Sequence, residues 1–201
     1  MRDGVCLADL DGNQREAALA LMREAMSAAG YQTARDVMRL NEHALEITGK
    51  PEEYGEWFYW VSIFGTPSPD RPWGWQIDGH HLNVNWFALG DHLVLTSIFM
   101  GSEPVLARFG KRRGTRVFAA EEEQGYALMR ALSYEERQRA TIVKNSPRNS
   151  SPPHSTTTGG SSPPGSAMTS CPPRAASVSS RCLRPMLAAC ARVMPNSAGP
   201  R

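Results

Sequence analysis

Beyond residue 145 the chain contains no Asp, Glu, Phe, Tyr or Trp, although its 201 residues hold 20 acids, 6 Phe, 5 Tyr and 5 Trp. A segment without acids or rings has little to bury and cannot offset the entropy of ordering its backbone. Residues 146–201 are therefore expected to form a disordered, low-complexity Pro/Ser/Arg tail, separate from an α+β segment at 1–145. Long apolar runs are missing too. Nothing approaches the roughly 18 residues a membrane helix needs, so no membrane partner is expected. Met1–Leu10 carries Asp3 and Asp9 and no apolar stretch, which excludes the pattern of a secretory signal and leaves a cytoplasmic location as the default. Cysteine is scarce where structure is expected. Of the four, Cys171, Cys182 and Cys190 are in the tail and Cys6 stands alone, so neither a disulfide framework nor a zinc spacing is present.

Charge is also unevenly placed. Residues 1–145 hold 16 of the 22 Lys and Arg against all 20 acids, a net of −4, while the tail holds six scattered Arg and ten of the 15 Pro. Neither part has the clustered basic surface of a nucleic-acid binder. No Walker loop, G-x-G-x-x-G, G-x-S-x-G or H-E-x-x-H occurs, so no cofactor is indicated and its identity stays open.

The front segment reads as helices, a sheet, then helices. Asn13 to Ala29 predicts a helix capped by Asn13 with Glu16, with an apolar face through Leu21, Met22 and Met26 and a stop at Gly30. Thr33 to about Thr48 predicts a second, capped by Thr33 and Asp36 and ended by Gly49 and Pro51. Strands are expected at Glu56–Phe64, Trp73–Asp78, His80–Leu89 and His92–Met100, with a proline-rich loop from Gly65 to Pro72. A two-residue turn at Gly90-Asp91 would set Trp86 opposite Leu95 and Asn85 opposite Thr96. A helix at about Ala120–Leu132 and a capping box at Ser133–Glu136 opening a last helix complete the pattern. Helices before and after an antiparallel meander define an α+β class: helical hairpin, meander, helix pair, tail.

Chemistry concentrates in Trp73 to Trp86. Strand alternation puts Leu82, Val84 and Trp86 on one face and His81, Asn83 and Asn85 on the other, with Asp78 and His80 at the strand start. Imidazole serves as base or metal ligand and amides orient a polar substrate, so these five are the candidate catalytic residues, and His80 and His81 the candidate metal ligands. The plainer reading is a solvated or internally bonded sheet face. Neighbouring histidines in a strand point apart unless a bulge intervenes. His43 and His92 read as structural or exposed. The five tryptophans read as core rather than as a stacking platform. Lys111-Arg112-Arg113 with Arg116 reads as a solvated loop before a phosphate or acidic-partner site.

The runs FGTPSP, PWGWQIDGHHLNVNW, FMGSEPV, GTRVFAAEEE and ALSYEERQRATI resemble the bacterial domain-of-unknown-function family 3500 over roughly Leu10 to Lys144. The spacing W-G-W-x-x-x-G-H-H-L-x-x-N makes the resemblance specific. It implies a later half with an H-x-H…R…N-D-[YF]-G motif that brings further histidines to His80 and His81. This chain has no such motif. Two readings of the tail follow: a natural disordered tail, or a change of reading frame near Pro147. Gly165–Cys171, written with the synonymous codons GGA-TCC-GCT-ATG-ACG-AGC-TGC, reads from the third base as Ile-Arg-Tyr-Asp-Glu-Leu, which resembles the family's continuation.

Three classes of function stay open. This copy is incomplete and inactive; or the segment is a binding or structural module; or the intact family has a histidine-based enzyme or metal site. An incomplete domain would leave apolar sheet uncovered and self-associate through it.

Overall fold

The computed structural model describes residues 3–142 and Ala189. The first helix, α1, is Gly12–Ala25. Its cap is Asp11, not Asn13: the Asp11 carboxylate accepts from the Gln14 N–H at 2.8 Å, and the Gln14 side chain accepts from the Asp11 N–H at 3.1 Å. Met26 then leaves helical geometry, and Ser27 caps α2, Ala28–Thr48, by accepting from the Gly30 N–H at 3.1 Å. Gly30 is thus in the first turn of α2 rather than at the end of α1. Thr33 and Asp36 are inside α2 and not its caps. Thr33 donates back to the Ala29 carbonyl, and Asp36 pairs with Arg39. The stop at Gly49 is as expected, in left-handed conformation with φ 68° and its N–H on the Leu45 carbonyl.

Five strands form one antiparallel sheet in chain order: β1 Val5–Cys6, β2 Tyr59–Phe64, β3 Trp73–Gly79, β4 Leu82–Leu89 and β5 His92–Met100. The expected strand start at Glu56 lies three residues early, because Glu56 is drawn into a buried ion cluster. His80 and His81 belong to a turn, not to β4. The Gly90-Asp91 turn sets Leu89 opposite His92 and Trp86 opposite Leu95, as the spacing predicts. The ladder then shifts, and Val84 faces Ile98, so Asn85 meets two residues, Thr96 and Ser97, instead of Thr96 alone. That bulge is invisible to a register counted from the turn.

One face of the sheet carries the core. Tyr59, Val61, Trp73, Trp75, Ile77, Leu82, Val84 and Trp86 pack with Leu21 and Met22 of α1 and with Val37, Met38 and Leu40 of α2. Trp73, Trp75 and Trp86 are fully buried, with Trp73 and Trp75 against Trp86 at ring-centroid distances of 4.8 and 6.2 Å. Each removes up to about 250 Å² from water, worth about 6 kcal/mol at 25 cal/mol per Å². Among the described residues none of their indole N–H groups has a partner, at about 1–3 kcal/mol each, so the apolar gain wins. Of the other two, Trp57 is partly buried and packs against this core, and Trp60 is not part of it. The guanidinium groups of Arg15 and Arg35 lie over the Trp57 ring at 4.8 and 4.7 Å, and Trp60 points to the opposite side of the sheet from Tyr59 and Val61.

Residues 105–117 fold back on themselves, with the Ala107 N–H on the Thr115 carbonyl and the Val117 N–H on the Val105 carbonyl. The basic stretch at the tip is not simply solvated. Lys111 pairs with Glu42, its N–H reaches Glu46, and Arg112 pairs with Glu56. A separate unit holds α3, Ala119–Ala131, and α4, Tyr134–Ala140. The capping box of α4 joins Ser133 and Glu136 as the sequence indicates. Ala189 is buried with the core, so one residue beyond 145 does pack there. The remaining expectations for the tail fall outside the described residues, as does His154.

Candidate functional site

The turn between β3 and β4 is His80-His81, and Gly79 makes it possible. A Cβ at Gly79 would fall 2.0 Å from the Tyr59 ring, which crosses the backbone there and donates its hydroxyl to the His80 carbonyl at 2.9 Å. His81 adopts φ 58°, a left-handed conformation rare outside glycine. Its carbonyl accepts from the Gly101 N–H at 2.8 Å, tying the turn to the end of β5. Strand alternation no longer separates the two side chains. Their rings lie 4.1 Å apart between centroids at 60°, correcting the expectation that they point apart.

His80 is oriented from below. Its Nδ1 lies 2.9 Å from Oδ1 of Asn41, whose amide nitrogen donates to the Gly55 carbonyl at 2.8 Å. The second bond fixes which end of the amide faces the ring. An amide oxygen only accepts, so Nδ1 is the donor in this bond. The Tyr54 ring meets His80 edge-on at 5.0 Å. Three cavities converge here. Two of about 340 Å³ share Tyr54 and His80, one bounded by Trp60 and Glu52, the other by Thr48 and Glu103. The third, about 600 Å³, runs from His81 past Glu103 to Arg108.

The five sequence candidates divide into two groups. Asp78, Asn83 and Asn85 form a chain on the outer face, with Asn83 donating to Asp78 at 2.9 Å and Asn85 to Asn83 at 2.6 Å and to the Ser97 carbonyl at 3.0 Å. These amides brace β3, β4 and β5 and do not share a stripe with His81. His80 and His81 stand with residues the motif did not include: Asn41, Tyr54, Trp60 and Glu103. Asn41 is one amide among the residues of α2, and its burial beside His80 emerges only in the fold. As for metal, among the described residues no group of three or more His, Cys, Asp or Glu could hold an ion.

His43 is structural. Its Nδ1 donates to Glu46 at 3.0 Å, its Nε2 accepts from the Arg108 N–H at 3.4 Å, and its ring meets Phe109 at 4.6 Å. Glu46 is held below the usual carboxylate range by the His43 bond and the Lys111 N–H. Glu42 is lowered by the Glu56 N–H and by Lys111. His92 is exposed at the start of β5. Among the described residues no helix is long and apolar enough to cross a membrane.

No curated protein and no solved structure matches the chain. A family model does, over residues 1–178, a span that takes in the Trp73–Asn85 motif and continues past Lys144, where the resemblance read from the sequence stops. The chain belongs to the family described as protein of unknown function, DUF3500.

Proposed function

We propose that the chain carries one part of a histidine-centred site for a small ligand, completed in the intact family by its second half, and that this copy alone has no turnover. The observation that carries it is the fixed orientation of His80 by the buried Asn41, with His81 beside it at the meeting of three cavities. An imidazole that donates one N–H to a protein carbonyl has its other nitrogen defined as base or ligand. Nitrogen NMR of labelled histidine tests this. His80 should show the Nδ1–H tautomer, and Asn41→Ala should release it toward the Nε2–H form. An Nε2–H tautomer in the unaltered chain rules the reading out. Metal content of a frame-restored chain and of its His81→Ala variant separates ligation from base chemistry.

The second reading is a structural module. The Asp78–Asn83–Asn85 chain and the Tyr59 bond to His80 favour it, because they brace the meander without a ligand. Under it, His81→Ala destabilises the fold and alters nothing else. Equal thermal stability with and without His81 would remove this reading.

We also infer that residues after about Pro147 are translated out of the bacterial family's frame. Loss of acids and aromatics together supports it, since a frame change in GC-rich DNA replaces both with Pro, Ser, Ala and Arg. The match through residue 178 weighs on the other side. Re-reading the DNA around codon 147 decides it. An uninterrupted frame through Arg201, repeated in close relatives, ends the idea.

A further inference from the structure

His43 holds more than its own helix. It is 1% exposed on α2 and lies against the 105–117 fold-back. Its Nδ1 is 3.0 Å from the Glu46 carboxylate, and its Nε2 is 3.4 Å from the Arg108 backbone nitrogen. An ionised carboxylate only accepts and a backbone N–H only donates, so Nδ1 gives a hydrogen bond and Nε2 receives one. Only the neutral ring with its proton on Nδ1 satisfies both. The fold-back adds further ties here. Phe109 meets the ring edge-on at 4.6 Å, and Gly110, at φ 74°, leaves room for the Glu46 carboxylate where a Cβ would collide with it. The Lys111 N–H donates to Glu46 at 2.8 Å, and the Lys111 ammonium pairs with Glu42 at 3.1 Å. Among the described residues, the charged groups of the elements packed here are Glu42 and Glu46 on α2 and Arg108, Lys111 and Arg112 on the fold-back. Glu56, before β2, is taken by Arg35 and Arg112.

We propose that His43 is a pH-sensitive latch on the wall of the cavity beside His81. Protonating the ring puts a second N–H at Nε2, aimed at the Arg108 N–H, and two donors cannot bond each other. The charged ring and the Arg108 contact therefore exclude one another. Lifting the tip from Arg108 to Arg112 opens Nε2 to water and withdraws the cations of the fold-back, while Glu46 stays to favour the charged ring. Opening thus takes up one proton, and acid drives it. A histidine in water titrates at about 6.5, so the open form gains about tenfold for each pH unit below that value. Glu46, held below the usual carboxylate range, keeps its charge through this window. Pro104, Val105, Leu106 and Arg108 line the cavity of about 600 Å³ that includes His81, so release of the tip shifts part of that wall. The bearing on ligand binding rests on reading the histidine pair as a site, whereas the latch does not.

Amide hydrogen exchange of the full chain from pH 8 to pH 5, corrected for the intrinsic pH dependence of exchange, reads the latch at Arg108, with Ile77 in β3 as the reference. Protection at Arg108 should fall about tenfold per pH unit below about 6.5 while Ile77 holds, and nitrogen NMR should show His43 gaining its Nε2 proton over the same range. His43→Gln keeps an acceptor for the Arg108 N–H and removes the titration, so the pH dependence should vanish. Where that variant disturbs the fold, the exchange and nitrogen spectra of the unaltered chain decide alone. An Arg108 amide unprotected at pH 8, protection independent of pH, a fall shared equally by Ile77, a fall that persists in a folded His43→Gln, or a His43 Nε2 protonated at pH 8 overturns the proposal. His80 is read in the same spectra. An Nε2–H tautomer there sinks the histidine site and leaves the latch, whereas a pH-independent Arg108 sinks the latch alone.

Discussion

Glu56→Ala is expected to be among the most damaging single changes outside the apolar core. Glu56 is 2% exposed and receives Arg35, itself 8% exposed, at 3.0 Å on one oxygen and Arg112 on the other. Arg35 has other neighbours, the Trp57 ring at 4.7 Å and the Met38 sulfur at 3.2 Å, but neither carries a compensating charge. Removing one partner of a buried pair costs about 3–5 kcal/mol, because the remaining ion has lost both water and its counter-charge. Arg112 is partly exposed and recovers hydration, which favours the lower end, about 3 kcal/mol. For a unit of this size each kcal/mol lowers the melting temperature by roughly 3–5 °C, so a fall of roughly 10–15 °C is expected. Thermal melts of Glu56→Ala, Arg35→Met and the double variant form the cycle. The double variant should be more stable than the sum of the single losses predicts, since it removes the stranded charge. A Glu56→Ala loss under about 1 kcal/mol, or simple additivity, would refute the idea that Arg35 depends on this carboxylate. The same cluster holds the 105–117 fold-back, which brings Arg108 to the cavity beside His81.

Acid should loosen the same region first. Glu42 and Glu46 have lowered folded values, so their contribution is present at neutral pH and is lost as pH falls below about 4.3 and through those lower values. Urea melts from pH 6 down to about pH 2.5 should show a shallower loss in Glu42→Gln and Glu46→Gln, and an unchanged slope in both variants contradicts this. At position 81 Gly should be more stable than Ala by about 1 kcal/mol, since only glycine takes φ 58° without strain. Ala equal to or better than Gly in chemical denaturation would show that the turn relaxes. Along β5, Val94, Ile98 and Phe99 are exposed on an edge strand with no Lys, Arg, Asp or Glu. Val94→Lys and Ile98→Lys should shift sedimentation toward monomer, and unchanged sedimentation would place any self-association elsewhere.

Features set by neighbouring residues were legible in the sequence, and those set by distant ones were not. Gly49, the Gly90-Asp91 turn and the Ser133–Glu136 box each act within four residues, and each stands where its chemistry indicates. The break at Met26-Ser27 was hidden because Met26 and Ala29 continue the apolar spacing of Leu21 and Met22 across it. The turn at His80-His81 contains no Gly, Pro, Asn or Asp of its own. It becomes a turn because Tyr59, twenty residues back, crosses Gly79. Asn41 reaches His80 across 39 positions, and Glu56 reaches Arg112 across 56. The first depends on how α2 lies against the sheet, and the second on how the 105–117 fold-back reaches the segment before β2. The histidine pair could therefore be picked out by eye, while the groups that orient it could not.

The short joint at Met26-Ser27 gives α2 the character of a lever. Asn41 lies thirteen residues from Ala28, about 20 Å along a rigid rod at 1.5 Å per residue. A tilt of about 5° at the Ser27 end would swing the amide by nearly 2 Å on that arm, enough to part a bond that tolerates a few tenths of an ångström. Substitutions under the first turn of α2, far from either imidazole, should thus register at His80 before they register in overall stability.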